Sequence, residues 1–74
     1  MRNMHNMRQT PPHPLAVLAQ ERLGNQPLLE WVEAKHAEVR SWEKTAQALF
    51  ARTEVFVSRE TLRRWLLADQ EQAA

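Results

Sequence analysis

Arg59, Arg63 and Arg64 fall within the six residues that follow Ser58. A guanidinium group is planar and carries five donors, so it matches the paired acceptors of a phosphate or of a guanine edge. Glu60, which sits among them, can accept a hydrogen bond from cytosine N4. Near a helix start it also favours the positive end of the dipole, by roughly 0.3–1 kcal/mol. Its distance from Arg64, four residues, is that of a helical ion pair. Leu62, Trp65 and Leu66 interleave with these charges at i, i+3, i+4, so an apolar face opposes the arginines. The chemistry on offer is recognition of a polyanion, with no bond made or broken.

Other chemistry is poorly supplied. His5, His13 and His36 lack the spacing of metal ligands, and there is no cysteine to join them. His36 reads as a buried or boundary side chain. No nucleophile is paired with a base, and the single glycine, Gly24, cannot build a phosphate-cradling loop. The expectation is therefore no catalytic residue, no metal and no cofactor.

The elements that must position the arginines follow from caps and stops. Residues 1–13 have no apolar period and end in prolines, so they are expected to form a disordered arm. Arg2 and Arg8 in that arm are either solvated, laid along the DNA backbone, or inserted in a minor groove. Pro14 opens a first helix, 14–23, and Gly24 closes it. A second, 27–38, starts at Asn25-Gln26-Pro27, with Asn25 as its cap; Leu28, Leu29, Val32 and His36 form its stripe and Trp31 flanks it. Ser41 caps a third, 42–51, whose inward face is Trp42, Ala46, Leu49 and Phe50. Residues 52–57 are rich in β-branched residues and poor in helix signals. Ser58 then caps the last helix, the domain ends near 69, and 70–74 is expected to be a disordered tail.

Seventy-four residues allow one domain with a modest core. Leu, Val, Phe and three Trp must fill it, and the tryptophans are expected to pack on one another rather than serve as a stacking platform. No apolar run has the length of a membrane span, and Arg2 and Arg8 precede no signal-like core, so a cytoplasmic protein is expected. Net charge is +1, with a balance of +2 over residues 51–68 and −1 over 27–50. That asymmetry gives one side toward a polyanion.

The segment SWEKTAQALFARTEVFVSRETLRRWL, residues 41–66, joins these signals. A small inward residue, Ala46, precedes a turn. Val57 comes directly before a capping Ser, with Thr61, Leu62 and Trp65 three, four and seven residues after that cap. This resembles the helix-turn-helix of small bacterial and phage regulators. It looks most like that of transposase, excisionase and MerR-type heads, whose second helix begins V-S-x-x-T-L-R-x-W. The preceding PLLEWVEAKHAEVRSW also looks like the approach segment of small phage-borne proteins. Two departures stand out: the separation from Ala46 to Ser58 is long, and Glu54 occupies a place where such sequences often carry glycine.

The resemblance implies an all-α, compact three- to four-helix helix-turn-helix domain, 14–69, without a β-wing. It implies sequence-specific binding of double-stranded DNA, with the helix from Ser58 in the major groove. The contact set would be Ser41, Lys44, Thr45, Ser58, Arg59, Glu60, Arg63 and Arg64. Leu15, Val17, Leu18 and Leu23 either cap the core or form a homodimer face suited to paired half-sites. Within the DNA-binding class, an excisionase-like bending factor is a subsidiary reading. The runner-up is a protein-interaction module, an antirepressor or host-enzyme inhibitor, kept open by the modest net charge and the acidic stretch at 27–50.

Overall fold

The chain's punctuation becomes four helices: α1 (Pro14–Leu23), α2 (Leu28–Val39), α3 (Trp42–Thr53) and α4 (Arg59–Ala73). The computed structural model describes residues 10–24 and 26–73, and among them there is no strand and hence no wing. The fold is all-α, as expected.

Pro14 opens α1, and His13 caps it: Nδ1 accepts from the Leu15 N–H at 3.1 Å. Gly24, at φ 79°, closes it. α2 has Pro27 at its cap position, a residue with no side-chain acceptor. Gln20 of α1 fills the gap. Its Oε1 accepts from the Leu28 N–H at 2.6 Å and from the Thr10 hydroxyl at 3.3 Å, while its Nε2 donates to the Gln26 carbonyl at 2.7 Å. Asn25, the cap expected from sequence, lies outside the described residues.

Ser41 caps α3 as expected, its Oγ accepting from the Lys44 N–H at 3.2 Å. The helix runs two residues further than expected, to Thr53. It stops at Glu54, which adopts φ 63°, the left-handed conformation that glycine takes most easily. The glutamate thus ends the helix in a conformation that glycine would adopt without strain. Thr53 secures the turn, donating its hydroxyl to the Leu49 carbonyl at 2.8 Å and accepting from the Val55 N–H at 3.1 Å. α4 continues to Ala73, so residues 70–73 extend the helix and are not a separate tail. Glutamine, glutamate and alanine favour helix, and no glycine or proline interrupts them.

α2 and α3 form the centre, each packed against all three other helices, while α1 and α4 do not pack on each other. The core draws Leu28, Leu29 and Val32 from α2, Ala46 and Leu49 from α3, and Leu62, Trp65 and Leu66 from α4. Val55 and Val57 of the connection are also buried.

Two expectations about the inside, for α3 and for the tryptophans, are corrected, and in α1, left open between core and dimer face, only Leu23 of the stripe is buried. In α1 the buried face is Ala16, Ala19 and Leu23, whereas Leu15, Val17 and Leu18 are 38%, 47% and 38% exposed. The small alanines permit close approach, and the large side chains are turned out by the geometry of 100° per residue. In α3, Phe50 is exposed, and Thr45 and Thr53 are buried instead. Each threonine donates to the carbonyl four residues back, so its hydroxyl is satisfied and its small volume suits a tight crossing. Among the described residues no tryptophan ring pairs with another. Trp65 meets His13 (5.5 Å between centroids), Trp42 stacks on His36 (3.9 Å, 20°), and Lys35 lies 5.8 Å from the Trp31 ring. Trp65 is buried, while Trp31 and Trp42 are only partly so.

The same contacts shorten the expected arm. Residues 10–13 are tied to the domain through Thr10 and His13. Arg2 and Arg8 lie outside the described residues.

Candidate nucleic-acid interface

Leu62, Trp65 and Leu66 fix one side of α4 against the domain. Arg59, Glu60, Arg63 and Arg64 are all exposed, so the inside–outside division read from spacing is the one observed. Ser58 sets where the helix begins. Its Oγ accepts from the Thr61 N–H at 3.2 Å, and its hydroxyl donates to Thr61 Oγ1 at 2.9 Å.

The start of α4 lies beside the start of α3. Arg59 Nη1 stands 3.6 Å from Glu43 Oε1, linking the first turns of the two helices. Trp42, Arg59, Glu60 and Arg63 line a shallow cleft of about 250 Å³ between them. Behind the cleft, His36 of α2 stacks on Trp42. One edge of the molecule therefore gathers Ser41, Trp42, Glu43, Ser58, Arg59, Glu60 and Arg63.

Arg64 lies beside Glu60 and Arg63 on the outer side of α4 but is not part of the cleft at Trp42. Together with Trp65 and Ala68 it borders a groove of about 470 Å³ whose other wall is residues 10–13. The stretch preceding α1 is thus seated alongside α4. The outermost strip of α4, from Glu60 through Arg64 to Glu71, carries Leu67 and Ala68 between charges.

The charges differ in how committed they are. Arg59 is paired, but both partners are more than half exposed, and such pairs contribute about 0–1 kcal/mol. Arg63 and Arg64 make no ion pair among the described residues, and neither does Glu60, so the i,i+4 spacing of Glu60 and Arg64 is not used for a pair. Lys44 is exposed and likewise without an ion pair among the described residues.

Two members of the expected contact set are less available. Thr45 is fully buried, its hydroxyl donating to the Ser41 carbonyl at 2.7 Å, so its side chain is not on the surface. It is withdrawn from the set because it is a core residue. Ser41 is half-buried, with its Oγ accepting from the Lys44 N–H. Sequence reading missed Trp42, expected in the core, and Glu43, for which no part in the site is expected. The single available signal is their position directly after a cap, where side chains reach past the helix end. The partner helix that makes them part of this edge is set by folding.

No family model, curated protein or solved structure matches the chain. Among the described residues, no group of three His, Asp or Glu side chains is arranged to hold a metal ion, and no helix is long and apolar enough to cross a membrane.

Proposed function

We propose that this protein binds double-stranded DNA in a sequence-specific manner, as a small cytoplasmic helix-turn-helix regulator of phage or mobile-element origin. One observation carries the reading. Arg63 and Arg64 stand exposed and free of ion pairs among the described residues, on a helix whose opposite side is locked by Leu62, Trp65 and Leu66. A recognition helix needs this division, one face pinned and one offered to the major groove. Arg59 and Lys44, at the two helix starts, add phosphate contacts. Glu43 and Glu60 restrain nonspecific attraction, so discrimination rests on the base edges met by the arginines.

The test is binding of the full chain to a random duplex pool, followed by titration of the selected site against salt. Affinity should fall steeply, with a logarithmic slope of about −0.9 per phosphate contacted. Arg63→Ala with Arg64→Ala should weaken binding by tenfold or more, since a good bidentate contact contributes about 1–3 kcal/mol. The melting temperature of that double variant should stay close to the original. Absence of affinity at low salt would overturn the reading.

A second reading, a protein-interaction module, is favoured by a separate observation. Leu15, Val17 and Leu18 expose an apolar face on α1, on a helix that does not pack against α4. In the DNA reading the same face joins two copies on paired half-sites; in the second it meets an unlike protein. Sedimentation with and without the selected DNA separates these.

A further inference from the structure

Phe56 is the most exposed of the large apolar side chains among the described residues, at 67%. It is also held in place. Its neighbours Val55 and Val57 are buried at 3% and 1%, and the Val55 N–H is anchored on Thr53 Oγ1. Residues 55–58 are neither helix nor turn, and burial alternates along them, Val55 and Val57 being buried and Phe56 and Ser58 exposed. With Val55 and Val57 inward, Phe56 and Ser58 face outward together. At 67% exposure the Phe56 ring is left mostly outside the core that its two neighbours enter.

Its position relates it to α4. Phe56 lies two residues ahead of the Ser58 cap, so their Cα atoms are at most about 7 Å apart. The major groove is about 12 Å wide. A pose that brings Ser58 and Arg59 to the groove leaves Phe56 within reach of its wall. A phenyl ring offers no hydrogen bond there. The apolar group displayed in the major groove is the C5-methyl of thymine, a known partner for phenylalanine.

We infer that Phe56 is a specificity-determining residue that packs on a thymine C5-methyl group at the margin of the sequence read by α4. The inference rests on the DNA-binding reading above. The charged neighbourhood commits it to DNA and not to an apolar protein surface: Arg59 follows three residues later, with Arg63 beyond it along the same helix.

The experiment uses the duplex selected from the random pool, with each thymine replaced in turn by deoxyuridine, which lacks only that methyl. Replacement at one position should weaken binding of the original protein about fourfold, the effect of one methyl group left in water. Phe56→Ala should bind the thymine site with a similar or larger loss and should no longer distinguish thymine from deoxyuridine. Arg63→Ala should still distinguish them. Phe56→Ala should keep its helical circular dichroism, because the ring is outside the core. Equal affinity of Phe56→Ala and the original protein for the selected site would overturn the inference while leaving DNA binding intact. So would a deoxyuridine effect that persists in Phe56→Ala, or an effect at no thymine. Loss of helical signal in Phe56→Ala would overturn the outward placement on which it stands. If the original protein binds no duplex at low salt, the DNA reading itself fails, and this inference with it.

Discussion

α1 and α4 both lie against the central pair α2 and α3, yet they meet the demand for burial in opposite ways. α4 buries its large residues, Leu62, Trp65 and Leu66, and leaves arginines in water. α1 buries Ala16 and Ala19, and of its larger residues only Leu23, leaving Leu15, Val17 and Leu18 exposed. In α4 the apolar stripe and the core contact coincide, so its outer face is solvated at little cost. In α1 close approach takes precedence over apolar area, and the surplus area remains on the surface. Apolar content alone therefore does not say which side of a helix is inside. What decides is the spacing available between the backbones, and tight crossings admit small side chains.

Substitutions can break this contrast. The largest effect is expected at Trp65→Ala, because truncating a buried tryptophan costs about 3–5 kcal/mol. For so short a chain that is most of the available stability. The cooperative thermal transition should vanish, and its persistence would mean that α4 is not held by this face. Next in size is Ala19→Leu, which forces extra volume into the α1 contact and should cost about 1–3 kcal/mol in a denaturant titration. Leu18→Ala, which removes a far larger side chain, should change stability by less than about 0.5 kcal/mol. The reverse order would put the large residues of α1 inside and remove the contrast.

A further effect lies at the end of α3 and has the opposite sign. Glu54 holds a left-handed conformation that costs an ordinary residue roughly 1–2 kcal/mol, whereas glycine loses about 0.5–1 kcal/mol of chain entropy on ordering. Glu54→Gly should therefore raise stability by up to about 1 kcal/mol. The pair between Arg22 and Glu54, 3.9 Å apart and largely exposed, offsets little of this. A fall in stability on Glu54→Gly would show that the glutamate does more for the turn than end the helix.

Much of α4 is legible in the order of its residues. Ser58, Leu62, Trp65 and Leu66 lie within one stretch, and a period of 3.6 residues assigns their sides without outside information. The starts of α1 and α3 are equally open to reading, since the fixed φ of Pro14 and the bond from the Lys44 N–H to Ser41 are local. Less is readable where partners come from elsewhere in the chain. The start of α2 depends on Gln20, eight residues before the N–H it satisfies. Thr45 reads as a surface residue, because the hydrogen bond that lets it be buried leaves no mark in the pattern. The edge where Trp42 and Glu43 meet Arg59 brings together residues sixteen or more positions apart.

The arginines after Ser58 show the same limit at closer range. By itself the sequence determined that Arg59, Arg63 and Arg64 lie opposite an apolar face, because helical periodicity is a local property of the chain. Only the tertiary structure decided that Arg59 is paired with Glu43, that Arg63 joins Trp42 at the cleft, and that Arg64 borders the segment ahead of α1. Those differences depend on which helix lies beside each arginine. That is set by how small and large side chains fit across crossings, a matter of shape between distant segments and not of order along one.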